Sequence, residues 1–409
     1  MPAKQLPRSA ARIQHLLTAV ILLLLASAAQ AQTLTVLHNF TGQGDGSDPY
    51  SGVTLDQQGR IYGTTYDGGT HQYGVVYRLV REGQGWVFSP LYSFGSQAND
   101  GQNPIARVVF GPDGLLYGTT SEGGTEGYGT VFSLQPPPTA CKAVLCPWIE
   151  TVIHNFTFDD GVDPGYGDLT FDQAGNIYGT TFNSSGGGGV VFKLTRSGSG
   201  WTESVLWHFT GGSDGSYPVS GVILDNAGNL YGTTSSDGSR GSGTVYKLSP
   251  TQSGWTETTL YSFDSSECCG DGGLTWDTHG NLFGISGIPP GKGEVHAMVY
   301  ELTSQNGSWT LTWRHDFGSQ NEGPIASPTF DSHGNLYGPL PDGSSGFGLI
   351  FRLTPSGNDW LYNPFYQFSN CNSGSACEPL GTLTFDANGN MFGTALGGGR
   401  FGTVWEITP

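Results

Sequence analysis

Basic residues are scarce in this sequence, which has 16 Lys and Arg against 34 Asp and Glu and a formal net charge of −18. Lys4, Arg8 and Arg12 lie near the N-terminus, before the first acidic residue, so the remainder is more acidic still. Proteins bind nucleic acid and anionic membrane surfaces through Lys and Arg, so we expect neither partner. We interpret the acidity as a source of solubility in an extracellular medium.

Long apolar runs are also lacking, with one exception near the N-terminus. Leu16 to Ala26 follow the basic residues, and Ala29-Gln30-Ala31 then provides small residues at the spacing of a signal-peptide cleavage site. The run is shorter than the roughly 18 apolar residues that a spanning helix needs. We therefore predict that residues 1–31 are a signal peptide cleaved near Ala31. The mature chain, 32–409, should be secreted or periplasmic and have no membrane span.

Cysteine is sparse, and the six residues form three close pairs. In an exported protein such pairs predict short-range disulfides. Cys268 and Cys269 are adjacent, so a strained vicinal bridge, two thiols or cross-pairing all stay open for them. We expect two disulfides, Cys141 with Cys146 and Cys371 with Cys377.

Helical periodicity is missing after the leader, and a tandem repeat takes its place. The tetrapeptide Tyr-Gly-Thr-Thr and weaker versions of it occur seven times, spaced by 52 to 61 residues. A fixed period of this length indicates a repeat architecture. The copies begin at Tyr62, Tyr117, Tyr178, Tyr231, Phe283, Tyr337 and Phe392.

Each repeat of about 54 residues contains four strand-like segments. In the third repeat, Val190, Phe192 and Leu194 alternate with their neighbours in the period of two that strands show. Asp172 to Asn176 has the Gly and Asn of a tight hairpin turn. Four short strands cannot bury both faces of a sheet alone, and radial repetition of such sheets solves this problem. The sequence therefore predicts an all-β, seven-bladed β-propeller of four-stranded antiparallel blades, formed as one domain by residues 32–409.

The two ends of the chain are complementary. Leu34 to Phe40 has the form of a fourth strand, whereas the last repeat stops after its third strand, Thr403 to Ile407. We expect the N-terminal strand to pair with the C-terminal blade, which removes an open sheet edge. An open β-solenoid is the alternative architecture, and it would not need a missing strand at one end of the chain to match an extra strand at the other.

The repeat resembles that of the choice-of-anchor tandem-repeat proteins with the GloVer repeat, whose unit reads like GLTFDxxGNLYGTTxxGGxxGxGTVFKL. Gly221 to Leu248 carries the resemblance most clearly, and it extends over nearly the whole mature chain. It implies an exported repeat protein of undefined biochemical activity, often with a C-terminal sorting segment. This sequence ends at Pro409, directly after a strand, so we expect a free rather than an anchored protein.

An acidic residue occurs in every connection between one repeat and the next. In a propeller these connections share a face with the loops between second and third strands, so seven acids around one channel mouth would attract a cation or a basic partner. Asp-Gly also makes turns in which the carboxylate bonds local amides, and we favour this interpretation. No DxDxDG loop occurs, so we expect no cofactor, and a calcium site would have to be assembled from separate blades. The acids are Asp45, Asp100, Asp160, Asp214, Asp271, Glu322 and Glu378.

The histidines do not form a catalytic set. Two positions before the Phe of the fourth strand, the repeats have His, Tyr or Trp, which indicates a packing position with a polar contact at the tip. The fifth repeat departs most from the consensus, with Asp271, Glu294 and His296 in two loops that should be neighbours. A ligand site and neutral drift both explain this departure, and we favour drift.

The sequence contains no HExxH motif and no P-loop. We therefore expect a noncatalytic, monomeric binding or scaffold protein that presents its loop face to an extracellular glycan or protein. A polysaccharide lyase or glycoside hydrolase is the alternative, and it rests on fold analogy alone. Tyrosine rings in or beside the loops could stack on sugars: Tyr50, Tyr66, Tyr73, Tyr128, Tyr166 and Tyr217. The candidate ligand-binding residues are Asp45, Asp100, Asp160, Asp214, Asp271, Glu322, Glu294 and His296.

Overall fold

A computed structural model describes residues 32–138, 148–198, 200–264, 270–286, 295–318, 320–321, 326–343, 345–357, 359–372 and 374–409. These residues form seven four-stranded antiparallel blades around a central cavity, which confirms the predicted propeller. The predicted signal peptide lies outside the described residues. Within the described ranges, no helix has the length and apolar character that crossing a membrane requires.

Each blade runs from a short first strand beside the cavity to a long fourth strand at the outer edge. Blade one consists of Thr54–Leu55, Ile61–Thr65, Val75–Glu82 and Gly85–Ser93, and blade two of Val109–Phe110, Leu116–Thr120, Thr130–Gln135 and Ile149–Asn155. Blade three consists of Thr170–Phe171, Ile177–Thr181, Val190–Ser197 and Gly200–His208, and blade four of Ile223–Leu224, Leu230–Thr234, Thr244–Thr251 and Gly254–Ser262. Blade five consists of Leu274–Trp276, Leu282–Ser286, Met298–Gln305 and Ser308–Asp316, and blade six of Thr329–Phe330, Leu336–Leu340, Leu349–Ser356 and Asp359–Gln367. Blade seven consists of Thr384–Phe385, Met391–Gly397, Thr403–Thr408 and the N-terminal strand Thr33–Asn39.

Blade seven joins the two ends of the chain as predicted. The N-terminal strand pairs antiparallel with Thr403–Thr408, and Leu34 lies opposite Ile407 in the register. Leu34 and Val36 also pack against the buried cluster that contains Trp405. The ring is thus closed by main-chain hydrogen bonds and by apolar burial together.

The glycine of the Tyr-Gly-Thr-Thr repeat leaves space for an aromatic ring on the third strand. A Cβ atom added to Gly63 would lie 2.3 Å from Tyr77 Oη, and one added to Gly179 would lie 2.5 Å from the Phe192 ring. Real side-chain atoms do not approach this closely, so any larger residue would displace the ring. The remaining pairs are Gly118 with Phe132, Gly232 with Tyr246, Gly284 with Tyr300, Gly338 with Phe351 and Gly393 with Trp405.

In four of the blades, the first threonine of the same tetrapeptide bonds the next blade, whereas blades five and six have Ile285 and Pro339 at this position and the buried Thr119 hydroxyl of blade two has no partner among the described residues. Thr64 Oγ1 donates a hydrogen bond to the carbonyl of Ala106 at 3.0 Å, which crosses from blade one to blade two. These buried hydroxyls bond main-chain carbonyls that face a neighbouring blade and would otherwise lack this donor. The equivalent bonds run from Thr180 to Ser220, from Thr233 to Gly272 and from Thr394 to Ser51.

Candidate functional site

Four acids of the connections, Asp45, Asp100, Asp160 and Asp214, accept local hydrogen bonds through their carboxylates. Asp45 Oδ1 accepts from the Thr41 amide at 3.2 Å, and its Oδ2 lies 3.0 Å from His38 Nε2. Each carboxylate therefore closes a turn and holds the His, Tyr or Trp that precedes the Phe of the fourth strand. Among the described residues, no acid of the connections lines the central cavity. The other cases are Asp100 with Ser96 and Tyr92, Asp160 with Thr157 and His154, and Asp214 with Thr210 and Trp207.

The His, Tyr or Trp of the fourth strand packs as the sequence indicates. The His38 ring stacks on Phe88 at 4.1 Å between centroids and meets Phe40 edge-on at 5.0 Å. Burial lowers the pKa of His38, although Asp45 acts in the opposite direction. This side chain joins blade seven to blade one.

The other residues singled out in the sequence have different surroundings or lie outside the described residues. Asp271 is 8% exposed in the connection to blade five, and His296 belongs to Val295–His296, a short strand parallel to Gln320–Asn321. Cys371 and Cys377 form the expected disulfide. Glu378, next to that disulfide, has a left-handed φ of 58°. Glu294, Glu322, Cys141, Cys146, Cys268 and Cys269 lie outside the described residues, and the bond between Cys141 and Cys146 stays a prediction.

The two kinds of loop share one face, and backbone bridges join them. Ser47, in the connection into blade one, pairs with Asp67, which follows the second strand of that blade. Asp48 has a φ of 57°, and this left-handed turn lets its amide bond the Phe401 carbonyl while its own carbonyl accepts from Tyr66. One residue thereby links blade seven to blade one. Asn103, Asp163 and Tyr217 make the same double link in blades two to four.

The central cavity opens between these loops and has a volume of about 830 Å³. The first strands of blades two to seven line it, together with Tyr50, Ser51 and Gly52, which precede the first strand of blade one. Much of the lining carries hydroxyl groups, namely Ser51, Thr170, Ser220, Thr275, Ser327, Thr329, Thr382 and Thr384. A cavity of this size with convergent polar groups is typical of sites for small molecules.

Among the described residues that line the cavity, the charged ones are Arg107 and Asp168. The Arg107 side chain donates from Nε to Asp168 Oδ2 at 2.5 Å, and the Arg107 amide donates to Asp168 Oδ1 at 3.3 Å. The two side chains are 25% and 30% exposed, so the pair remains accessible from the cavity. The two terminal nitrogens of Arg107 have no hydrogen-bond partner among the described residues.

The sequence analysis missed this ion pair. Arg107 and Asp168 occupy the position of the repeat at which Gly52 and Gly221 stand in blades one and four. Aligning the first strands of the repeats would have marked the two charges, because the other blades have Gly, Ser or Thr at this position.

Three of the tyrosines noted in the sequence line the same cavity. Tyr50 and Tyr66 meet edge to face with their ring centroids 5.6 Å apart, and Tyr166 lies 5.5 Å from Phe182. Burial raises the pKa of Tyr166 to about 12, and the charge of Asp163 acts in the same direction. The Tyr166 hydroxyl is therefore protonated at neutral pH and can donate a hydrogen bond.

A model of the Gloeobacter/Verrucomicrobia repeat matches residues 27–147 and 145–339. The chain belongs to this family. Membership confirms the resemblance drawn from the repeat unit. No curated protein matches the chain.

Several solved structures are similar to the chain at low identity. The extracellular domain of a hybrid two-component system from B. thetaiotaomicron is 15% identical with a TM-score of 0.54, and the match covers 93% of this chain but 42% of that one. A protein of unknown function from Dyadobacter fermentans is 13% identical with a TM-score of 0.43, covering 92% and 98%. An oxidoreductase described as a glucose dehydrogenase, from Thermus thermophilus, is 12% identical with a TM-score of 0.43, covering 92% and 100%. The chain thus spans less than half of the first of these structures, and the likeness concerns the fold alone.

Proposed function

We propose that this family member is an exported, noncatalytic binding protein that takes a neutral saccharide, free or at the end of a glycan, into the central cavity. The observation that carries the proposal is the position of the Arg107–Asp168 pair in a cavity that is otherwise lined by hydroxyl, apolar and main-chain groups. Export is supported by the leader sequence and by the disulfide between Cys371 and Cys377.

The chemistry of the ion pair suits a hydroxyl-rich ligand. A saccharide hydroxyl both donates and accepts, and the Asp168 carboxylate can accept while the terminal nitrogens of Arg107 can donate. The two charges compensate each other at short range, so the ligand need not carry a charge of its own. Hydrogen bonds that involve a charged partner are stronger than neutral ones, which gives the pair the largest directional contribution within the cavity.

The tyrosines supply the apolar half of saccharide recognition. Tyr50, Tyr66 and Tyr166 line the part of the cavity that adjoins the loops, and Tyr50 is 39% exposed. A tyrosine ring combines an apolar face with a polar hydroxyl, so it can pack on the carbon skeleton of a sugar and bond its hydroxyls. The cavity volume of about 830 Å³ is within the range of 300–1,000 Å³ that is usual for small-molecule sites.

The test is a binding measurement with neutral and acidic saccharides on the purified mature protein. Calorimetric titration of wild type, Asp168→Asn and Arg107→Gln should show a saccharide whose affinity falls roughly tenfold or more in either variant, because a charged hydrogen bond contributes about 1.5–3 kcal/mol. Arg196→Gln is the matched control, since Arg196 pairs with Asp113 away from the cavity. The control variant should bind as wild type does.

Two outcomes contradict the proposal. Equal affinity in wild type and both cavity variants would place the ligand elsewhere on the molecule. New reducing ends or unsaturated products in the same mixtures would show a lyase or a hydrolase instead of a noncatalytic binding protein.

A further inference from the structure

A second cavity of about 330 Å³ lies beneath the connection from blade one to blade two. Its lining brings together Asp100, from that connection, and Glu150, from the fourth strand of blade two. The two residues are only 4% and 8% exposed. Two carboxyl groups are therefore buried in one small space.

One oxygen of each carboxyl group belongs to a hydrogen-bonded network. Tyr92 donates from its hydroxyl to Asp100 Oδ2 at 2.8 Å, and the Ser96 amide donates to the same oxygen at 2.9 Å. Gln97 Nε2 donates to the Tyr92 hydroxyl at 3.0 Å and to Glu150 Oε2 at 3.3 Å. The network fixes the direction of both carboxyl groups.

The other two oxygens, Asp100 Oδ1 and Glu150 Oε1, are fully buried and have no hydrogen-bond partner among the described residues. Burial of an unpaired carboxylate oxygen costs free energy, and two such groups together also repel each other. Among the described residues that line this cavity, none is Lys, Arg or His. The described part of the lining therefore supplies no positive charge beside the two carboxyl groups.

The equivalent carboxyl pairs between two other pairs of blades have additional polar contacts. Between blades two and three, Asp160 Oδ2 lies 3.2 Å from His154 Nε2, while Glu203 Oε1 has no hydrogen-bond partner among the described residues. Between blades three and four, Thr259 donates to Glu257 Oε1 at 3.0 Å. Only the first of these three places has a carboxyl pair with no cation and an unpartnered oxygen on each side.

We propose that Asp100 and Glu150 bind a calcium ion between blades one and two, through Asp100 Oδ1 and Glu150 Oε1. Calcium takes carboxylate, carbonyl and hydroxyl oxygens as ligands, and its two charges match the two carboxylates. Asn99, Thr125 and Thr151 line the same cavity and provide further oxygen atoms, and water completes such sites. The site is assembled from two blades, so it needs no contiguous calcium-binding loop.

The surroundings of Glu150 disfavour its ionised form, as expected of a buried carboxyl group without a counter-charge. Burial, followed by the charge of Asp100, raises the pKa of Glu150 to about 8. A bound cation would stabilise the ionised form and displace this proton. The ion would thereby add a link between blades one and two beside the hydrogen-bonded network of Tyr92.

The experiment measures calcium binding by the mature protein after dialysis against a chelator. Titration calorimetry with calcium chloride should show one site in wild type, and calcium should raise the melting temperature by mass action. Asp100→Asn and Glu150→Gln should each weaken binding roughly tenfold or more, because calcium affinity follows the number of charged ligands. Glu257→Gln, at the same strand position in blade four, should bind calcium as wild type does.

Terbium luminescence gives a second measurement that does not depend on the stability of a variant. Tyr92 bonds Asp100, so a bound terbium ion should be sensitised by excitation of tyrosine, and calcium should compete the signal away. A wild-type protein that binds neither ion at millimolar concentration overturns the proposal. Binding that survives in both Asp100→Asn and Glu150→Gln overturns it as well.

Discussion

Arg107 of blade two and Asp168 of blade three form an ion pair across 61 positions of sequence, in a cavity whose lining is elsewhere uncharged among the described residues. The blades meet here through side chains, where most of the ring is joined by threonine hydroxyls and main-chain carbonyls. The pair is accessible, so it is better placed to recognise a ligand than to stabilise the fold.

The first prediction separates these two roles. Arg107→Gln should reduce saccharide affinity while lowering the free energy of unfolding by no more than about 1 kcal/mol, because a solvent-accessible ion pair contributes little to stability. Denaturant unfolding measures the second quantity on the protein that is used for titration. A loss of several kcal/mol would instead identify the pair as a structural link between blades.

The second prediction concerns buried tyrosine hydroxyls on the third strands. Tyr77, Tyr246 and Tyr300 are fully buried, and their hydroxyls have no partner among the described residues. Other blades have Phe at this position, as at Phe132 and Phe192. Replacing each tyrosine by Phe should leave stability unchanged or raise it by about 1 kcal/mol, because an unsatisfied polar group is removed from the core.

The second-strand tyrosines give the matched control. Tyr178 donates to Asp172 Oδ2 at 3.0 Å, and Tyr231 donates to Asp225 Oδ2 at 3.0 Å. Tyr178→Phe should therefore destabilise the protein by about 1 kcal/mol, the usual net contribution of a hydrogen bond. Equal effects at both positions would show that the two hydroxyls have similar surroundings, contrary to the structure.

The fold was predictable because the same local sequence pattern recurs in the repeats. Gly63 and its equivalents must be Gly to admit the ring of the third strand, so the glycine recurs at each blade, and in four blades the threonine that follows it bonds the next blade. The two candidate sites were not predictable in this way. Arg107 and Glu150 each depend on a partner from another blade, and a single repeat does not show which faces the closed ring brings together.

The acids of the connections also show that a single repeat does not reveal contacts with the neighbouring blade. The turn interpretation describes the hydrogen bonds of Asp45 and Asp214 well. Asp100 makes the same turn, yet its second oxygen is left unpaired beside Glu150, which the turn itself does not reveal. The difference arises from the neighbouring blade and not from the motif.

The third prediction concerns the dependence of stability on pH. Burial, followed by the charge of Asp214, raises the pKa of Glu257 from 4.5 to about 7. Between these values the folded protein holds a proton that the unfolded chain has lost, so the free energy of unfolding should fall as the pH rises from about 4.5 through 7. Glu203, whose pKa is also raised to about 7, acts in the same direction.

Glu257→Gln should remove part of this dependence. The variant should match wild type near pH 4 and exceed its stability at pH 8 by on the order of 1 kcal/mol, since partial exposure of the site screens the charge. Glu126→Gln, in an exposed loop, serves as the control. Urea unfolding across this pH range makes the comparison, and parallel curves for wild type and Glu257→Gln would contradict it.

The last prediction concerns the closure of the ring by the N-terminal strand. Removing residues 32–40 from the mature chain takes away every main-chain partner that Thr33–Asn39 gives to Thr403–Thr408, and it withdraws Phe40, which is 3% exposed, from the core beside Tyr77. The third strand of blade seven then becomes an open edge that can pair with another chain, so the shortened protein should melt at a lower temperature and form oligomers. A synthetic peptide with the sequence of residues 32–40 should restore the monomer by adding the missing strand in trans, whereas a peptide of the same composition in scrambled order should not. Light scattering and calorimetry measure both effects, and a shortened protein that stays monomeric with an unchanged melting temperature would show that the ring is held by its other six blade contacts alone.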